Sequence, residues 1–150
     1  MANADAVAEF EQGVDLLQSG DSAGAIEYFR NAVEAEKRNP YYLSFLGLAV
    51  GRAQRKWTAA WELCEAAHRM NPDEPQFYLN LAEVYASGDR RKDAHDLLEL
   101  AVKRFGRDAD IARETRRLRK RSGQVLPFVA RPLKPPPETS PLPNAEEGKP

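Results

Sequence analysis

The chain has 150 residues, is 42% hydrophobic and 30% charged, and carries a formal net charge of −1. That length suits one domain with a continuous core; no apolar run reaches the about 18 residues a membrane helix needs, and the single Cys64 excludes an internal disulfide and fits a reducing compartment. The near-zero charge hides a split, with 7 Lys/Arg against 14 Asp/Glu in residues 1–89, 12 against 6 in residues 90–121 and 3 of each in residues 122–150, an asymmetry that steers partners or docks protomers.

The first ten residues hold Asp5 and Glu9 and no basic residue, unlike a secretory signal, so a soluble, cytoplasmic protein is expected. A first helix is predicted over about Ala4 to Ser19, stopped by Gly20-Asp21, with Asp21 or Ser22 capping the next. The second helix runs to about Lys37, with Ala25, Ile26, Phe29, Ala32 and Val33 on one apolar stripe. Asn39-Pro40 breaks it. A third helix covers about Tyr41 to Gln54 and a fourth about Thr58 to Met70. Pro75 then suits a first helical position, opening a fifth helix over about Gln76 to Ser87. Gly88-Asp89 repeats the Gly20-Asp21 turn, and a sixth helix spans about Arg91 to Phe105. A seventh, about Asp108 to Ser122, has a narrow apolar stripe of Ile111, Thr115 and Leu118, with acids near its start and bases near its end, as the helix dipole favours. Eight of the eleven prolines follow between Pro127 and Pro150, so residues 123–150 are expected to form a disordered, proline-rich tail.

A period runs through the first six helices. Gly13, Gly47 and Ala82 are 34 and 35 residues apart. Leu16, Val50 and Tyr85 follow three positions on, Ala25, Ala59 and Ala94 twelve on, then Phe29, Leu63 and Leu98, and then Ala32, Ala66 and Ala101. A fixed period of this length marks a solenoid of stacked helix pairs. Where two helices of a pair cross closely, a large side chain holds the backbones apart. Gly13/Gly47/Ala82 and Ala25/Ala59/Ala94 are therefore the expected points of closest approach.

These motifs resemble the tetratricopeptide repeat (TPR), a helix-turn-helix unit with Leu-Gly, an aromatic, Ala, Phe, Ala and Pro at set positions. The second unit reads Leu43, Leu46-Gly47, Val50, Ala59, Leu63, Ala66, Asn71-Pro72, and the third Tyr78, Leu81-Ala82, Tyr85, Ala94, Leu98, Ala101. The first unit departs most: Gln12 stands where Leu is usual. The resemblance covers about residues 5–106. It implies an all-α solenoid domain over residues 1–122, with repeats at about 6–39, 40–74 and 75–106 and a cap helix over 108–122. A weaker likeness, in size and repeat number, is to secretion chaperones with three such units.

The resemblance implies a function too: a non-catalytic adaptor, scaffold or chaperone subunit that holds a segment of another protein in a concave groove. Carried over position by position, the groove-lining residues are Val7, Phe10, Val14 and Leu17, then Tyr41, Ser44, Leu48 and Arg52, then Gln76, Leu79, Glu83 and Ala86. Phe10, Val14, Ser44 and Leu48 replace the Lys and Asn of the carboxylate-clamping subclass. An apolar, extended or amphipathic ligand suits this face better. The alternative is that Val7, Phe10 and Leu17 pack against the third helix or a second protomer.

No enzyme is expected. His68 and His95 lack Cys or His neighbours at metal-ligand spacing, and no phosphate loop or nucleophile elbow appears, so neither cofactor nor metal is foreseen. Cys64 reads as a buried small hydrophobe, and the histidines as surface or helix-end residues. Trp57 and Trp61, four apart, either anchor an interface or brace the second unit. The basic run Arg113, Arg116, Arg117, Arg119, Lys120 and Arg121 either contacts phosphates or an anionic surface or is a solvated cap. Nucleic acid is disfavoured as a partner because stacking aromatics are missing. A third role for the run is attraction to the acidic half of another copy, giving a self-assembly module. The tail stretch Pro127-Phe-Val-Ala-Arg-Pro132 has the spaced prolines and central aliphatic residue of a groove ligand, and its visiting the groove is a further expectation.

Overall fold

The computed structural model describes residues 2–106 and 108–120; the expectations for the proline-rich tail lie outside them. Within them the chain forms seven α-helices: α1 (Ala2–Gln18), α2 (Ser22–Ala35), α3 (Pro40–Gln54), α4 (Trp57–Met70), α5 (Pro75–Ser87), α6 (Arg91–Phe105) and α7 (Ala109–Lys120). Each packs on its neighbour in sequence. The odd-numbered helices also meet one another, α1 with α3, α3 with α5 and α5 with α7, whereas no such packing joins α2, α4 and α6. Short loops and this asymmetry give two layers, a tight inner row of odd helices and a splayed outer row of even ones.

Local chemistry sets the helix ends. Asp21 caps α2 by accepting from the Gly24 N–H at 2.8 Å. Asn39 accepts from Tyr41 N–H at 2.9 Å ahead of Pro40, and Glu74 from Gln76 N–H at 3.1 Å ahead of Pro75. Both prolines thus occupy first-turn positions whose missing N–H has no partner to lose. α1 ends on Gly20 at φ +96°, a left-handed conformation that glycine enters without Cβ strain.

The left-handed residues of the three intra-repeat turns are Gly20, Arg55 and Asp89. Gly20 and Asp89 lie seven residues beyond Gly13 and Ala82, whereas Arg55 lies eight beyond Gly47. Two expectations are corrected by this. The third turn places its left-handed residue at Asp89, not at Gly88, which lies at φ −92°. The second turn carries one extra residue, so α4 is rotated by one position relative to α2 and α6. The fully buried alanine of the second pair is Ala60; Ala59 is exposed. The buried row of α4 is Ala60, Cys64 and Ala67, matching Ala25, Phe29 and Ala32 in α2 and Ala94, Leu98 and Ala101 in α6.

The close approaches at the anchors are present. A Cβ on Gly47 would sit 2.9 Å from the Ala60 carbonyl oxygen and 2.7 Å from Cys64 Sγ. One on Gly13 would sit 2.6 Å from the Phe29 ring. Around them runs a continuous aromatic core in which Phe10 lies 5.1 Å from Tyr42 and 5.4 Å from Phe45, centre to centre. Cys64 is completely buried, its Sγ donating to the Ser44 carbonyl at 3.4 Å, and burial pushes its thiol pKa up, away from thiolate chemistry.

The tryptophans brace the second and third units. Trp57 packs where Gly51 and Gly88 leave room, each with a would-be Cβ 3.0 Å from its ring. The Trp61 indole donates to the Val84 carbonyl at 3.3 Å, and the Arg90 guanidinium stacks 4.5 Å from both the Trp61 and Tyr85 rings. His68 is half-buried in the last turn of α4, edge-on to Tyr78 at 4.5 Å rather than on the surface. Burial, aided by Arg104, holds its pKa below the ordinary range.

Candidate functional site

The inner helices carry the residues foreseen as a groove, and most of those side chains lie in the seams between successive inner helices. Phe10, Val14 and Leu17 of α1 are buried, with Phe10 against the α3 rings; Val7 is half-buried. On α3, Ser44 and Leu48 are fully buried, while Tyr41 and Arg52 are half-buried. On α5, Gln76, Leu79, Glu83 and Ala86 are all buried.

The two seams differ in chemistry. The α1–α3 seam is aromatic. The α3–α5 seam is polar along much of its length. Tyr41 meets the Phe77 ring at 5.0 Å and donates its hydroxyl to Glu74 at 2.7 Å. Asn80 Nδ2 donates to Ser44 Oγ at 2.9 Å, and Gln76 Nε2 donates to Asn80 Oδ1 at 2.9 Å. Arg52 grips Glu83 with two bonds of 2.7 and 2.9 Å, the bidentate geometry a guanidinium offers a carboxylate. Gln76, Asn80, Glu83 and Ser87 are spaced four, three and four residues apart. They form one polar row along a helix that is otherwise apolar and buried on nearly every side.

This row is not fully satisfied. Gln76 Oε1 and Ser87 Oγ are buried without a hydrogen-bond partner among the described residues. A buried acceptor or hydroxyl left unmatched costs about 1–3 kcal/mol, so such groups are few in folded proteins. Burial raises the Glu83 pKa, opposed by the Arg52 hydrogen bond and charge. Across the α5–α7 seam, Glu114 is 4% exposed and its pKa is likewise raised, first by burial and then by the Glu83 charge, with Arg117 opposing.

Asn80, Ser87 and Glu114 were not among the foreseen site residues. The first two were legible as the remaining members of the row at helical spacing. Glu114 was hidden inside a basic helix. Of that helix's cations, Arg113 pairs with Asp110 and Arg117 with Glu114, each at 2.7 Å, and Arg116 is exposed. The side chains of Arg119 and Lys120, and the whole of Arg121, lie outside the described residues.

Two family models described as tetratricopeptide repeat match the chain, one over residues 10–75 and one over residues 52–115. The chain belongs to the tetratricopeptide repeat family. Its fold is similar to the Arabidopsis OM64 TPR domain, with a TM-score of 0.68 at 18% identity, covering 80% of this chain and 98% of that one. It is similar to the first TPR domain of Spaghetti (RPAP3) bound to the HSP90 peptide SRMEEVD, with a TM-score of 0.66 at 18% identity, covering 79% and 95%. The second TPR domain of human RPAP3, in complex with the HSP70 peptide SGPTIEEVD, matches with a TM-score of 0.66 at 16% identity, covering 81% and 100%. At these identities the likeness is one of fold. No curated sequence matches the chain significantly.

Proposed function

We propose that the chain is a non-catalytic protein-interaction module, an adaptor, scaffold or chaperone subunit. It holds an extended or amphipathic segment of another protein against α1, α3 and α5. The observation that carries this reading is the polar row on α5, where Gln76 Oε1 and Ser87 Oγ stand unmatched three helical turns apart. The two atoms lie about 16 Å apart along the helix axis and are covered in the free chain, so two separate groups of a bound segment supply the missing partners as it opens the rim of the seam. The apolar contribution comes from the half-buried Val7 and Tyr41, with Phe10, Val14, Leu17, Ser44, Leu48, Leu79 and Ala86 buried behind them. Arg52 and Glu83 orient the segment. Peptide-bound RPAP3 domains of the same fold support a protein segment as the ligand class. A cytoplasmic site of action belongs to the same proposal.

The test is selection of peptides from a displayed random library against the full chain, followed by amide chemical-shift mapping. Shifts are expected on α1, α3 and α5. Ser87→Ala is expected to weaken the selected peptides without lowering thermal stability, because it removes only an unmatched hydroxyl. Gln76→Met is expected to weaken them at some cost in stability, because it also breaks the bond from Gln76 Nε2 to Asn80 Oδ1. Shifts confined to α2, α4 and α6, or peptides indifferent to both substitutions, would sink the proposal.

A further inference from the structure

The two ends of the helix stack carry opposite charge, and we infer that the acidic α1 end of one copy docks on the basic α7 end of another, head to tail. α1 packs only on α2 and α3, and α7 only on α5 and α6, so each has one side with no helix against it among the described residues. The first 29 residues hold six carboxylates and no Lys or Arg. The run from Arg113 to Arg121 holds six basic residues and one acid.

Both free faces carry small residues beside charged ones. Ala4, Ala8, Glu11 and Asp15 are exposed on α1 at spacings of four, three and four, which places them on one side. Ala109, Arg113 and Arg116 are exposed on α7 at spacings of four and three, with the half-buried Ala112 between them. Alanines at both faces let two helices approach to about 8–10 Å between axes, and the flanking charges then pair across the contact. Two unlike surfaces make a heterologous contact, which leaves a free end at every step and extends instead of closing. Arg113 and Arg117 already pair within α7, so the attraction is a field of several charges, not one strong bridge. It is screened over about 8 Å at physiological ionic strength.

The test is sedimentation velocity of the full chain over a range of protein concentrations, in low and in high salt. The mean sedimentation coefficient is expected to rise with concentration in low salt and to stay flat in high salt. Arg113→Glu with Arg116→Glu, and separately Glu11→Lys with Asp15→Lys, are each expected to sediment as monomers in low salt. An equimolar mixture of the two is expected to regain association, because the exposed α1 face of each variant, with positions 11 and 15, then meets an α7 face of the other whose positions 113 and 116 carry the opposite sign. All four positions are exposed or surface-paired, and melting curves check that both variants fold. Glu11→Gln with Asp15→Asn gives a milder second variant, expected to weaken association less. A wild type that stays monomeric at every concentration in low salt overturns the inference. So does association that survives either double reversal, or a mixture that fails to associate.

Discussion

Exchanging two adjacent alanines for leucine tests the phase of α4. Ala60 is completely buried, and its carbonyl oxygen lies where a Gly47 Cβ would approach within 2.9 Å. Ala59 is exposed, about 100° round the same turn. Leucine and alanine differ little in helix propensity, so intrinsic preference contributes only about 0.2 kcal/mol at either site. Ala60→Leu forces extra volume into the α3–α4 crossing and is expected to cost about 1–3 kcal/mol, the range for overpacked cores. Ala59→Leu is expected to stay within about 0.5 kcal/mol of the wild type, as surface changes do. Urea unfolding followed by far-UV circular dichroism separates the two, provided the slope is unchanged so that midpoints report stability. If Ala59→Leu is the more damaging, the second turn does not contain the extra residue, and the alignment of Ala60, Cys64 and Ala67 with their counterparts fails.

Gly47→Ala gains about 1 kcal/mol of helix propensity yet is expected to be net destabilising by thermal melting, because the obstacle is the Ala60 backbone 2.9 Å away. Arg52→Ala strands the buried Glu83 carboxylate and is expected to cost about 3 kcal/mol or more at neutral pH; replacing the pair together by Met and Leu is expected to be near neutral, and a double-mutant cycle in urea measures the difference. Glu114 has its pKa raised by burial, so the stabilisation tied to its proton is complete below the ordinary glutamate value of about 4.3 and is lost as pH rises through its higher folded value. His68, held low, acts oppositely, its contribution present above about 6.5 and lost as pH falls through its folded value. Comparing Glu114→Gln with wild type cancels the His68 term, and the variant is expected to be stabilised less than wild type on moving from pH about 7 to about 5. Trp61→Phe removes the indole donor to the Val84 carbonyl and is expected to cost about 1 kcal/mol in the same unfolding assay.

The helix pairs and their anchors were readable because glycine or alanine recurs wherever two backbones must touch. The rotation of α4 was not, for a specific reason. Residues 59–67 offer two registers with similar residue types, Ala59-Leu63-Ala66 and Ala60-Cys64-Ala67. Periodicity cannot choose between them. The choice is made upstream, where Arg55 adopts the left-handed conformation one residue later than Gly20 and Asp89 do. No glycine marks that turn, so the sequence carries no flag for it. Burial of the inner-face residues was equally hidden, since Phe10 or Ser44 is covered only once α3 or α5 stands beside it. The polar row on α5 was visible in its spacing. Its significance rests on the contrast with an otherwise apolar, buried helix, which needs the neighbours to be known.

That contrast separates two tasks along the inner row. The α1–α3 seam is joined by rings, a non-directional contact that tolerates small sliding. The α3–α5 seam is joined by Ser44–Asn80, Tyr41–Glu74 and Arg52–Glu83, contacts with fixed geometry that break when the helices shift by an ångström or two. Directional bonds of this kind add little net stability once desolvation is counted, and removing one partner is far costlier than replacing both. Their effect is to fix the register of α5 against α3. The separation of Gln76 Oε1 and Ser87 Oγ is set by α5 itself; the fixed register sets where both atoms lie against α3, and that placement is what two unmatched polar atoms need in order to read the spacing of groups on a segment bound across both helices.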